Sequence, residues 1–291
     1  MKKKTAKPAT KGKKKGRKAW RQRTLVGKIW RAAWVLAVAV VVWLHVAVVA
    51  YRFVFPPLTP LMVHRFGQQL FQKNRPVRFE RDYVRLDAID PDLVNSVVAS
   101  EDGNFLHHRG FDVPMLKQSY IENKEGRRVR GGSTISMQTA KNAFLPHKRA
   151  MARKAVEAYL TQLIEWTWGK RRIMEVYLNV IEFGDGIYGC EAAAQHYFGH
   201  SAARLSRREA AQLAATLPSP LKRNPDHQTP YFKKQTRIIQ ARASQYVRVR
   251  LDKDKELRER DKKAGRHNET LWDFIKWYVA QKKAERDDDG Q

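Results

Sequence analysis

The sequence predicts a mainly α-helical protein carrying one N-terminal transmembrane helix. Three observations lead there. An uninterrupted apolar run, Ala32 to Tyr51, holds 20 residues without a formal charge. Beyond it, several stretches repeat their apolar residues at the spacing of one helix face, and the strict alternation that marks strands is scarce. The single cysteine, Cys190, allows no internal disulfide, so packing alone has to supply the core.

The chain has 291 residues and a formal net charge of +28, which on its own would suggest a nucleic-acid binder. The distribution argues against that. Residues 1–31 hold 14 of the 57 Lys and Arg and no acid, so half of the excess lies in one Lys-rich, Gly-punctuated tail with the composition of a disordered segment. Ala32–Tyr51 follows directly, with Trp30, Trp34 and Trp43 in or beside it. At about 1.5 Å per residue it spans a hydrocarbon core of roughly 30 Å. It is too long for the apolar core of a signal peptide, and Tyr51-Arg52-Phe53-Val54-Phe55-Pro56 is not a small-residue cleavage site. The basic flank places residues 1–31 in the cytoplasm and everything after about residue 55 outside. The expected organisation is a basic tail over 1–31, a transmembrane helix over 32–54, an outer domain over 55–245 and a charged C-terminal extension over 246–291.

After the anchor, Phe55-Pro56-Pro57-Leu58-Thr59-Pro60 reads as a stiff connector, because proline fixes its own φ and restrains its predecessor. Leu61–Phe71 reads as a short helix near the membrane surface. A helix over Pro91–Ser100, apolar at Leu93, Val94, Val97 and Val98, delivers Glu101 to a glycine-broken loop. That loop, Asp102-Gly103-Asn104-Phe105-Leu106-His107-His108-Arg109-Gly110-Phe111-Asp112, concentrates polar groups where a reactive side chain is held rigidly yet open to substrate. Gly110–Arg130 is the least regular part; its mixed apolar and basic residues suit an interfacial segment or a surface loop.

Gly131-Gly132-Ser133-Thr134 gives a glycine break and a hydroxyl cap, after which the chain turns helical. Thr134, Gln138 and Lys141 form one polar stripe on it, and a helix N-terminus so equipped can cradle an anion. Lys148, Arg149, Arg153 and Lys154 precede a helix running through Glu157, Leu160, Leu163, Ile164 and Trp168. The plain reading of Arg153 and Glu157 is an intrahelical ion pair, yet such a cluster of cations is also what a pyrophosphate requires. Lys170–Asn179 is amphipathic, and Phe183–Gly189 is a loop with three glycines. Ala192–Phe198 and Leu205–Leu217 are further helices, the second capped by Ser206 with Glu209 and stopped by Pro218-Ser219-Pro220. In the charged extension, Thr270–Ala280 carries an apolar stripe of Leu271, Phe274, Ile275, Tyr278 and Val279 that suits docking onto its own domain. No Cys/His metal spacing, Gly-rich phosphate loop or internal repeat is present.

Taken in this order, the segments resemble the membrane-bound, lysozyme-like peptidoglycan glycosyltransferases (family 51), in their form with one anchor and no transpeptidase domain. The resemblance covers roughly residues 55 to 245. Glu101-Asp102, Phe105, His108 and Gly110-Phe111-Asp112 look like the family's first motif. Gly132-Ser133-Thr134, Gln138 and Lys141-Asn142 look like its second, and Arg153-Lys154 with Glu157 like its third. Tyr177-Leu178-Asn179 through Tyr188-Gly189 looks like the fourth, and Glu209-Ala210-Ala211 through Asn224-Pro225 like the fifth. One departure is Met137, where the family usually has a second glutamine, and it is expected to change local contacts only. The extension after about residue 246 has no counterpart.

The resemblance implies a two-lobed, lysozyme-like helical domain that polymerises lipid II into glycan strands by inverting transfer, releasing undecaprenyl diphosphate, outside a bacterial inner membrane. It implies Glu101 as general base and Glu157 as second carboxylate. Lys141, Arg149, Arg153 and Lys154 would bind pyrophosphate, and Thr134, Gln138 and Asn142 would position substrate. Asp102, Phe105 and His108 would shape the site. It admits a divalent cation, Mg²⁺ or Mn²⁺, at Glu157, and implies no organic cofactor and no nucleic acid. Its partners would be lipid II, the growing glycan chain, the membrane, and cell-wall synthesis or division proteins. The rival readings are a lysozyme-like hydrolase with two carboxylates and water, which the cations around Glu157 disfavour, and a non-catalytic membrane-tethered scaffold, which leaves the outer motifs unexplained.

Overall fold

The computed structural model describes residues 12–71, 77–126, 132–146, 150–246, 249–265 and 269–289. The chain divides into two units, residues 1–50 and residues 51–291. Helix α1, Gly12–Tyr51, runs for 40 residues, and its stretch Val26–Tyr51 is long and apolar enough to cross a membrane. This corrects the expectation of a disordered basic tail from Gly12 onward. Its Lys, Arg, Gln, Ala and Trp residues tolerate a helix, and extending the apolar span's helix avoids the cost of a new nucleus.

The second unit is helical with a minimal sheet. Its elements are α2 (Pro60–Phe71), β1 (Glu80–Arg81), α3 (Pro91–Glu101), α4 (Val113–Lys124), α5 (Ile135–Phe144), α6 (Met151–Thr167) and α7 (Gly169–Val180). There follow β2 (Glu182–Gly184), β3 (Ile187–Tyr188), α8 (Cys190–Phe198), α9 (Arg207–Thr216), α10 (Pro230–Ala243), α11 (Asp254–Lys263) and α12 (Leu271–Asp289). One group of helices packs α3 against α9 and α10, and another packs α5 against α6 and α7; α8 lies on the sheet. Leu93 and Val97 of α3 and Ile173, Val176 and Tyr177 of α7 are fully buried at the centres of these groups. The capping box of α9 forms as its sequence announces, with Glu209 N–H donating to Ser206 Oγ and Ser206 N–H donating to Glu209.

Two features depart from the sequence expectation. β2 and β3 of a three-stranded sheet, in the order β1-β3-β2, fall where the sequence reads as a glycine loop; β1 runs parallel and β2 antiparallel to β3. Strands of two and three residues are too short to show a period. At Gly186 (φ +76°) a Cβ would stand 2.1 Å from the Arg78 carbonyl oxygen, so only glycine lets β1 and this turn meet. The second is α4, within a segment that reads as irregular. Asp112 caps it, accepting from Met115 N–H at 3.0 Å, and Pro114 lies in its first turn. Its charges are scattered around the helix, so no apolar stripe shows in the sequence. Leu271, Phe274 and Tyr278 of the α12 stripe dock on it and on the cluster beside it, while Ile275 and Val279 stay exposed.

Candidate active site

Glu101 is the last residue of α3, where the helix stops at Asp102 and the chain turns into the polar loop. Its Oε2 accepts from Gln138 Nε2 at 2.9 Å, and Gln138 Oε1 accepts from the Tyr177 hydroxyl at 3.1 Å. This relay fixes which way the Gln138 amide points, because the phenol donates to one end and leaves the NH₂ to face the carboxylate. The second oxygen of Glu101 has no partner among the described residues. Burial pushes the Glu101 carboxyl above the ordinary carboxylate range. The Gln138 hydrogen bond and the Lys141 charge oppose that shift, while the neighbouring Asp102 charge adds to it.

Asp102 is buried and points the other way. It accepts from Ile135 N–H at 3.0 Å, at the N-terminus of α5, and from His108 Nε2, 3.0 Å from each oxygen. His108 Nδ1 accepts from Gly110 N–H at 3.1 Å, which leaves its proton on Nε2, facing Asp102. Phe105 is fully buried, with Lys170 Nζ 4.4 Å above its ring; a desolvated contact of this kind contributes roughly 2 kcal/mol. These three residues build the loop. Thr134 likewise builds: its hydroxyl caps α5 by accepting from Met137 N–H and donates to Gly110 O at 2.6 Å. Asn142 is buried on α5.

The cations converge on the second carboxylate. Glu157 is 2 % exposed, and its two oxygens lie 3.0 Å from Arg153 Nη1 and 2.5 Å from Lys154 Nζ. The intrahelical ion pair therefore forms, with a second cation added. Lys141, on α5, feels both carboxylates: burial lowers its ammonium pKa first, Glu157 and Glu101 raise it, and Arg153 and Lys154 lower it. It thus links Glu101 to the Glu157 cluster. Arg149 and Lys148 lie outside the described residues, as do Arg127, Arg128 and Arg130.

Sequence reasoning overlooks two participants. Tyr177 reads as one more apolar position of α7, yet its hydroxyl orients Gln138. Lys170 opens the amphipathic stretch Lys170–Asn179 without a role of its own in the sequence reading. It is 1 % exposed, bonded to Glu165 at 2.6 Å, which also accepts from Ser136 Oγ. Its spacing to Ile173 and Tyr177, three and seven residues on, is the signal that could have placed it on the buried face. Met137 sits in a buried apolar cluster with Phe111 and Val113, so the departure changes packing away from the carboxylates.

A transglycosylase family model matches residues 67–244. Among curated relatives, the chain is 52 % identical over 196 residues to a biosynthetic peptidoglycan transglycosylase of Caulobacter vibrioides, covering 67 % of this chain and 82 % of that protein. It is 50 % identical over 194 residues to the protein of the same description in Rhodospirillum centenum, covering 67 % and 81 %. A third, from Bacteroides thetaiotaomicron, is 46 % identical over 193 residues, covering 66 % and 77 %.

Proposed function

The chain belongs to the transglycosylase family and is a peptidoglycan glycosyltransferase of cell wall biosynthesis, and on that footing we propose how its residues carry out the transfer. Its substrates are lipid II and the growing glycan chain. The 4-hydroxyl of the incoming lipid II gives its proton to Glu101 as its oxygen bonds to the anomeric carbon of the growing chain. The bond from that carbon to the lipid pyrophosphate breaks in the same displacement, which inverts the anomeric centre and releases undecaprenyl diphosphate. One observation supports this most: a carboxylate with a raised pKa and a free oxygen lies in the field of Lys141, as does a carboxylate paired with two other cations. A hydroxyl nucleophile requires the first and a departing pyrophosphate the second.

Glu157 then acts by holding Arg153 and Lys154 toward the leaving group. The donor set does not fit a resident divalent cation. Both Glu157 oxygens are already engaged by cations, and no group of three His, Cys, Asp or Glu suited to a metal occurs among the described residues. No step is assigned to one. The apolar helix Val26–Tyr51 is a single-pass anchor. We place it in the bacterial inner membrane with the Lys-rich tail cytoplasmic and the catalytic unit outside, from the charge asymmetry of the flanks. A tethered catalyst stays with a substrate that never leaves the bilayer.

Detergent-solubilised full-length protein given labelled lipid II is expected to make a glycan ladder and to release undecaprenyl diphosphate. Shortening of preformed glycan in place of synthesis would show a hydrolase.

A further inference from the structure

The extension after residue 244 lies outside the family match, yet it closes on the loop that follows Glu101. Inside, that loop is fastened by Asp102 to His108, by Asn104 to Asp112 at 2.9 Å and by Thr134 to Gly110. On its outer side His107 Nδ1 meets Asp261 of α11 at 2.5 Å, and Asp261 is 5 % exposed. A buried carboxylate reaching 154 residues back to a half-exposed histidine is a specific tie, because both ends are held by separate elements.

A second tie is apolar. Leu271 and Phe274 of α12 pack against the cluster of Phe111, Val113 and Met137, which joins the end of the loop to α5, the helix that carries Gln138 and Lys141. Farther along, Trp277 and Tyr278 meet the Tyr120 ring of α4 edge-on, with centroids 5.4 and 5.2 Å away. The extension therefore touches the outer side of the loop, the cluster at the base of α5, and α4.

We propose that helices α11 and α12 are a clamp that holds the loop over 102–112 and helix α4 in their working position, with Asp261 and Phe274 as positioning residues for the transfer. The proposal rests on Glu101 being the base. The inner fastenings hold the loop from one side, while its outer side at half-exposed His107 is held by Asp261, and a misplacement of about 1 Å in a reacting group costs on the order of 10²-fold in rate. Release of the loop would also let water reach Glu101, which removes part of the burial that raises its pKa.

The test uses full-length protein with labelled lipid II. Asp261→Ala is expected to lower kcat about tenfold with KM within about a factor of two. The acid limb of its pH–rate profile is expected to move toward the ordinary carboxylate value, and Asp261→Asn, which can still accept from His107, is expected to recover most of the rate. Phe274→Ala is expected to act in the same direction. Should Asp261→Ala not fold, His107→Ala removes the same contact from the loop side. Unchanged kcat and limb in these variants would overturn the clamp, as would a loss of rate that merely follows the folded fraction with the limb in place. An inactive Glu101→Gln beside a normal Asp261→Ala would remove the clamp and leave the base standing. A fully active Glu101→Gln would remove the base itself.

Discussion

Glu101→Gln is expected to lower kcat for lipid II polymerisation roughly 10³-fold, about 4 kcal/mol, with KM changed by less than about threefold. The substitution conserves shape. The carbonyl oxygen of the introduced amide can still accept from Gln138 Nε2, so the relay from Tyr177 survives, and Asp102 continues to fasten the loop to α5. What disappears is a group able to take the proton of the attacking hydroxyl. General-base contributions of about 10² to 10⁴ set the expected range, and a fall below tenfold would place the base elsewhere. A rise in KM with kcat intact would mean that Glu101 binds substrate without taking its proton.

The second large effect is expected from Lys141→Ala, a fall in kcat of about 10²-fold. Two causes act in one direction. The variant loses a positive charge from the group that receives the pyrophosphate, at a site where the remaining Arg153 and Lys154 are partly neutralised by Glu157. It also loses the cation that favours ionised Glu101. With that opposing charge gone, the Glu101 pKa rises further, so the acid limb of the pH–rate profile shifts upward and the ionised fraction at neutral pH falls. Lys141→Arg is expected to recover part of the rate, since it restores charge but not the compact ammonium. Lys141→Ala with kcat unchanged and only KM raised would show that Lys141 holds substrate equally in the ground and transition states.

The parts of this site that were legible in the sequence are the locally determined ones. Leu93, Val94, Val97 and Val98 mark α3 by spacing, and the helix ends at Glu101, where Asp102 leaves the helical conformation. Thr134 and Ser206 cap the helices that their positions announce. The parts that were not legible are set by distant residues. Nothing near Gln138 indicates that Tyr177 will hold its amide, and nothing near His107 indicates Asp261, because both partnerships form only when far segments meet. Helix α4 escapes for a related reason: the apolar groups that stabilise it belong to α12. The sheet escapes because its strands are shorter than the period that would reveal them. Lys170 is buried where a carboxylate and an aromatic ring meet it, although lysine as a residue type is mostly exposed.

In the proposed transfer a half-buried carboxylate at the end of α3 accepts the proton of the attacking hydroxyl. The measurement that meets it most directly is the pH dependence of kcat/KM for lipid II polymerisation by the wild-type protein. Burial raises the Glu101 pKa, so activity is expected to fall on acidification along a limb of unit slope whose midpoint lies clearly above 4.5, the ordinary value for this group. Tyr177→Phe frees the Gln138 amide to turn from Glu101, and is expected to move that midpoint upward by weakening the hydrogen bond that favours the ionised form. A profile flat down to about 4.5, or a limb indifferent to Tyr177→Phe, would contradict the account.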